Sequence, residues 1–194
     1  MPRVRTNLCA ALLIAAALPV AAQEPTTVPL DPTRSLAEFD VRVMWMFDVH
    51  GKFGLVNGSV RLDRAAQIVQ VEARIDARGV DMRRESYEEW VRSPEFFDVE
   101  AHPQIRFESE PFPLATLDLG GDIVGRLTVR GVTRQTRWNV RASECPGRAA
   151  IDCPVFADGS IERSEFGMTT RRATLSDKVR LHFRIYAAPA GGSS

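Results

Sequence analysis

MRRESYEEWVRSPEFFDVEAHPQIRFES, Met82 to Ser109, is the one long stretch of this chain that alternating strands do not explain. Between Arg83 and Val91 strand alternation is lost, and Tyr87, Trp90 and Val91 fall at helical spacing, which predicts a short amphipathic helix. Pro94 stops it, because the residue before a proline is pushed out of the helical region. Phe96 and Phe97 would point to opposite faces of a strand, so they read as a non-strand plug packed under the helix. His102-Pro103 reopens extended structure, and Gln104 to Glu108 alternates with Ile105 and Phe107 inward. The expectation is a helix interrupting a β protein.

Outward from this stretch the chain alternates. Leu36 to Val49 sets Phe39, Val41, Val43, Trp45, Phe47 and Val49 against Asp40, Arg42 and Asp48, predicting one long strand. Met44 and Met46 interrupt its polar face and read as irregular core. His50-Gly51 reads as a tight turn into Lys52 to Asp63, where Val56, Gly58, Val60 and Leu62 share a face. Val69, Val71, Ala73 and Ile75 alternate with Gln70, Glu72, Arg74 and Asp76, the clearest strand of all. Downstream, Leu127 and Val129, then Trp138 and Val140, then Val155 to Ile161, and finally Val179, Leu181, Phe183 and Ile185 mark further strands. Gly120-Gly121 and Gly131-Val132 punctuate them, and the loop from Glu165 to Asp177 reads as functional or as a rim. About eight strands at hairpin spacing, with no βαβ rhythm, predict an all-β sandwich or a closed antiparallel barrel. Strand pattern alone does not choose between them.

At the N-terminus, Arg3 and Arg5 precede an apolar run from Leu8 to Leu18, with Ala21 and Ala22 before Gln23. This reads as a cleaved signal peptide over residues 1–22, placing the protein in the periplasm. The run falls well short of the roughly 20 apolar residues a membrane-spanning helix requires. Cys9 inside it reads as a small hydrophobe of the leader. The remainder divides into an extended lead-in over 23–35 without core contacts, one β domain over 36–188 and a flexible tail over 189–194. Basic and acidic residues number 25 each, with signs interleaved, which excludes a nucleic-acid partner. Cys145 and Cys153 are the cysteines left after the leader, and export makes them a disulfide pair rather than a redox site, since no CxxC is present. Closing so short a loop contributes roughly 2.5 kcal/mol on the chain-entropy account.

Few residues suggest chemistry. His50 sits at the expected turn, His102 precedes a proline and His182 takes the outward phase of its strand, with no metal-ligand spacing among them. Ser164, Ser176 and the histidines have no nucleophile elbow to present them, so no catalytic residue and no enzyme is expected. The charges of Arg83, Arg84, Glu85, Glu88 and Glu89 read as a solvated helix face with pairs such as Arg84 with Glu88. The alternative sets Arg83 or Arg84 at a barrel mouth, where a guanidinium suits a pyrophosphate or carboxylate; Arg171 and Arg172 invite the same reading.

SPEFFDVEAHPQIRFES resembles the signature of the YceI-like family of secreted polyisoprenoid- and lipid-binding proteins. Similar runs recur in the family's order at GSVRLD (Gly58 to Asp63), VEARIDARGVD (Val71 to Asp81), GRLTVRGVTRQTRWNV (Gly125 to Val140) and SEFGM (Ser164 to Met168). The resemblance implies an elongated lipocalin-like barrel with a long apolar tunnel. On it, Phe39, Val41, Val43, Trp45, Phe47, Val71, Ala73, Ile75, Trp90, Phe96, Phe97, Ile105, Phe107, Leu127, Trp138, Val140, Leu181 and Phe183 would line the ligand. It implies a binding protein with no required cofactor and no metal, whose ligand is an isoprenoid, a quinone or a fatty acyl chain. Transient contact with a membrane or a membrane protein accompanies that role. The alternative is a filled core serving as a structural or interaction module. Arg34-Ser35 stands where the family carries His-Ser, Tyr87-Glu88-Glu89-Trp90 where its helix carries aspartate and histidine, and Val43 where its strand carries a basic residue. These exchanges move the head-group chemistry away from the family's.

Overall fold

The computed structural model describes residues 24–189. The leader with Cys9, the Gln23 start and residues 190–194 of the expected tail lie outside the described residues. The strands are β1 (Thr26–Pro29), β2 (Leu36–Val43), β3 (Phe47–Phe53), β4 (Val56–Asp63), β5 (Ile68–Asp76), β6 (Val80–Met82), β7 (Gln104–Ser109), β8 (Phe112–Pro113), β9 (Gly121–Val129), β10 (Val132–Val140), β11 (Val155–Glu162) and β12 (Leu175–Ile185). Helix α1 (Glu85–Arg92) follows β6, and a single turn, α2 (Thr116–Leu119), precedes β9.

All strands join one antiparallel sheet in the order β1-β4-β5-β7-β9-β10-β11-β12-β2-β3-β6, with β8 added to β5. One sheet excludes the sandwich. It curls so that Phe39 of β2, Ile75 of β5, Leu127 of β9 and Trp138 of β10 share a single interior, the lipocalin-like arrangement. The hydrogen-bonded path ends at β1 on one side and β6 on the other. Beside β6, α1 and the segment after it supply Tyr87, Trp90, Val91, Phe96 and Phe97 to the interior.

Helix α1 starts two residues later than its spacing suggests and stops at Ser93, before Pro94. Glu85 and Glu88 lie in its first turn and Arg92 in its last, matching the helix dipole. The expected Arg84–Glu88 pair is not formed. Glu88 instead accepts from the Met82 N–H (2.9 Å) and pairs with Arg92 (3.1 Å). Arg92 also donates to the carbonyls of Arg78 (3.0 Å) and Val80 (2.8 Å), which fastens the helix to β6.

Three expectations are corrected. The long strand over 36–49 is a hairpin, because Met44 and Trp45 take left-handed φ of 50° and 62° and pair Val43 with Phe47. A three-residue connection keeps odd positions in phase, so the alternation passes through the turn unbroken. Trp45 and Phe47 therefore lie at the hairpin end, 69% and 61% exposed, and Met44 and Met46 are surface rather than core at 55% and 72%.

The second correction is His50-Gly51, which sits inside β3 while the turn falls at Gly54-Leu55. Gly51 serves close approach. A Cβ there would stand 2.2 Å from Phe39 Cζ, so the Phe39 ring lies flat across the opposite strand. Gly159 plays the same part under Trp138, where a Cβ would meet Cε3 at 2.3 Å. Gly159→Val is expected to lift the Trp138 indole off the wall and to lower stability by about 1–3 kcal/mol, measured by urea unfolding.

Third, the lead-in has core contacts. β1 pairs with β4, Leu30 is buried and bridges Ala187, and the Ser35 hydroxyl exchanges hydrogen bonds with the Tyr186 backbone (3.0 and 3.2 Å). The domain thus begins before residue 36, with Leu30 and Ser35 meeting Ala187 and Tyr186 just after β12.

Cys145 and Cys153 form a disulfide, with Cα atoms 5.9 Å apart. Replacing both with serine is expected to cost roughly 2.5 kcal/mol. Alkylation of the unreduced, denatured protein should label neither thiol.

Candidate ligand cavity

An apolar cavity of about 640 Å³ runs through the barrel, so the core is not filled by side chains. Strand alternation puts Val41, Val71, Ala73, Phe107, Leu181 and Phe183 inside, yet each is only partly buried because it faces open space rather than a packed neighbour. The large rings are held against the wall. Trp138 stacks edge-on with Phe107 (6.0 Å) and Phe183 (5.1 Å), and its Nε1 donates to Thr136 Oγ1 (3.0 Å), leaving no orphan donor. Phe39, Phe53 and Phe97 form a second group, with Phe53 5.4 Å from Phe39 and 5.5 Å from Phe97. Trp90 and Phe96 meet at 4.4 Å, as expected for a plug beneath the helix.

Every residue expected to line the tunnel does so except Trp45 and Phe47, which the hairpin turn carries beyond the rim. Val60, Leu62 and Ile185, whose phase the alternation gives, line it as well, as does Val28 from the lead-in. The four arginines proposed for a head group do not. Arg83 borders a shallow outer depression with Glu38, Asp40, His50, Lys52, Asp81 and His182, and Arg84 lies over the Tyr87 ring (5.6 Å). Arg171 stacks on Trp90 (4.6 Å) and pairs with Glu95 (3.6 Å), while Arg172 is exposed.

The charged groups that reach the cavity are Arg64, Asp118 and Arg163. Arg64, Thr26 and Gly147 are exposed lining residues and mark one open end, near α2 and the disulfide loop. Arg163 lies toward the opposite end and is 1% exposed. It follows Ala157, Gly159 and Ile161 in the inward phase of β11, a signal the sequence contained. Its guanidinium donates to the carbonyls of Ser176 (3.0 Å), Leu175 (3.3 Å) and Met168, stitching the Glu165–Asp177 loop over Phe166 and Met168. Burial pushes the Arg163 pKa below its usual value, against the pull of Asp177.

Burial also pushes Asp177 up, but hydrogen bonds from the Ser164 hydroxyl and N–H, with Arg163 and Arg172 nearby, leave its pKa below the ordinary carboxylate range. A depressed carboxylate stabilises the fold above its unfolded pKa of about 3.9, and that contribution is lost as pH falls through the lower folded value. Asp177→Asn is therefore expected to lower Tm at pH 7 and to differ little from the parent at pH 2, read from melts at both.

The remaining polar candidates are accounted for. The Ser164 hydroxyl is committed to Asp177, and that of Ser176 to the Lys178 carbonyl (3.1 Å). On the outer wall His50 pairs with Asp40, and His182 lies between Asp158 (2.6 Å) and Asp40 (3.3 Å). Among the described residues no group of three or more His, Cys, Asp or Glu is arranged to hold a metal ion.

One antiparallel sheet curled around an open apolar lumen defines a hollow, lipocalin-like barrel. The chain belongs to the YceI-like domain family, whose pattern matches residues 29–187. It is 27% identical over 151 residues to a UPF0312 protein of Pectobacterium carotovorum, covering 74% of this chain and 76% of the relative. Among solved structures it is similar to Burkholderia cenocepacia BcnA, with a TM-score of 0.67 and 21% identity over 80% of this chain and 98% of that one. A polyisoprenoid-binding domain from Saccharophagus degradans, implicated in plant cell wall breakdown, aligns with a TM-score of 0.61 and 17% identity over 86% of this chain and 100% of that one. At these identities the structural likeness speaks for the fold.

Proposed function

We propose that this protein is an exported carrier that sequesters one long apolar chain, an isoprenoid, an isoprenoid quinone or a fatty acyl chain, inside the barrel. The observation that carries the reading is the open lumen of about 640 Å³ walled by aliphatic and aromatic side chains. That volume falls within the roughly 300–1,000 Å³ of small-molecule sites. Burying ten methylenes would contribute on the order of 8 kcal/mol before the costs of ordering the chain, and it distinguishes chain types only weakly. Selectivity falls to the polar ends, Arg64 with Asp118 at one and Arg163 at the other. The polyisoprenoid-binding domain among the similar folds favours an isoprenoid. Binding is the whole activity in this reading, with no cofactor required and no bond made or broken. Export rests on the leader over residues 1–22, and N-terminal sequencing of the periplasmic protein should begin at Gln23.

Displacement of a fluorescent polyene fatty acid tests the reading. Saturable, one-to-one uptake reversed by a long-chain isoprenoid alcohol is expected. Failure of any apolar chain to enter would overturn it.

A further inference from the structure

We propose that the β2–β3 hairpin tip is a membrane-docking element that inserts into the interface of a bilayer containing anionic lipid. Met44, Trp45, Met46 and Phe47 are consecutive, large, apolar and each more than half exposed. Scattered exposed hydrophobes need no explanation, but four adjacent ones on a turn form a continuous apolar knob in water. Turn chemistry would place Gly, Asn or Asp where φ is positive, yet Met44 and Trp45 occupy those positions here. The choice favours what the side chains touch over what the backbone prefers.

The knob is braced and flanked by positive charge. The Met44 N–H donates to the Thr174 carbonyl (2.6 Å), which holds the tip against the turn carrying Arg171 and Arg172. Arg172 makes no ion pair among the described residues, though Asp177 lies near it, and Arg171 pairs with Glu95 while stacking on Trp90. A tryptophan and two methionines beside exposed arginines suit the head-group layer, where an indole lies at the polar boundary and guanidiniums meet anionic lipid. Val43 and Val49, on either side of the tip, line the lumen, so apolar surface continues from the proposed bilayer contact into the cavity.

Sedimentation of the mature protein with phosphatidylcholine vesicles, with and without phosphatidylglycerol, tests this independently of lumen binding. The parent should sediment with the anionic vesicles, and brominated lipid should quench a fluorescence component that Trp45→Phe removes. Replacing Met44, Trp45, Met46 and Phe47 together with serine should lower vesicle affinity at least about tenfold while fatty-acid probe uptake persists. Arg172→Gln should weaken binding to anionic vesicles alone. Equal sedimentation of the parent and the serine variant, or absence of Trp45 quenching in the parent, would overturn the proposal. Self-association of the parent that the serine variant abolishes, without vesicle binding, would assign the tip to a second copy and overturn it equally.

Discussion

Ala73→Trp is expected to abolish uptake of a long apolar chain while the protein stays folded. Ala73 sits on β5 between Gly58 and Phe107 in the strand register and faces the lumen with little beyond its Cβ. β4 and β7 close the wall on either side of it, so an indole at this position extends into the space a ligand would occupy. In a packed core such an insertion typically costs about 1–3 kcal/mol, and an open lumen relieves part of that strain. Probe uptake and thermal unfolding, measured on the same sample, separate the effects. Parent-level uptake in a folded Ala73→Trp protein would show that the chain does not pass this layer.

Arg163→Met is expected to produce the largest loss of stability. A thioether matches the length of the arginine stem but supplies no donor, so the carbonyls of Ser176, Leu175 and Met168 lose their shared partner at once. An abandoned buried acceptor costs about 1–3 kcal/mol, and the three together should cost on the order of 3–5 kcal/mol. For a domain of this size that corresponds to a fall in Tm of roughly 10 °C. Amides from Phe166 to Leu175 should lose hydrogen-exchange protection before the strands do, because the guanidinium holds that loop closed. Arg163→Lys should rescue little, since a point charge cannot reach three carbonyls spread around a planar fork. A Tm for Arg163→Met within a degree or two of the parent would remove Arg163 as the fastening of this end.

The interior was legible wherever side-chain phase was read directly. Val71, Ala73 and Ile75, Trp138 and Val140, and Leu181 and Phe183 face inward as alternation demands, and the helix over Tyr87 to Val91 is real. Where the reading failed, a local signal had a second physical meaning. Met44 to Met46 form a turn whose odd length preserves the alternation on both sides, so period alone could not reveal it. Gly51 looked like turn punctuation, whereas its missing Cβ makes room for a ring. The doublets Arg83-Arg84 and Arg171-Arg172 suit an anionic head group by charge, but their side chains lie outside the lumen. Arg163 occupies the inward phase alone, where a charge ordinarily marks the outside of a strand. Leu30 was missed because three prolines nearby concealed a short edge strand.

Mass spectrometry under non-denaturing conditions, on protein purified from its native cells without detergent, tests the central claim most directly. A population heavier than the mature polypeptide by one apolar small molecule, released on organic extraction and missing from Ala73→Trp, is the predicted result. A bare polypeptide mass that stays unchanged after incubation with long-chain isoprenoids and fatty acids would contradict a lumen built to hold an apolar chain.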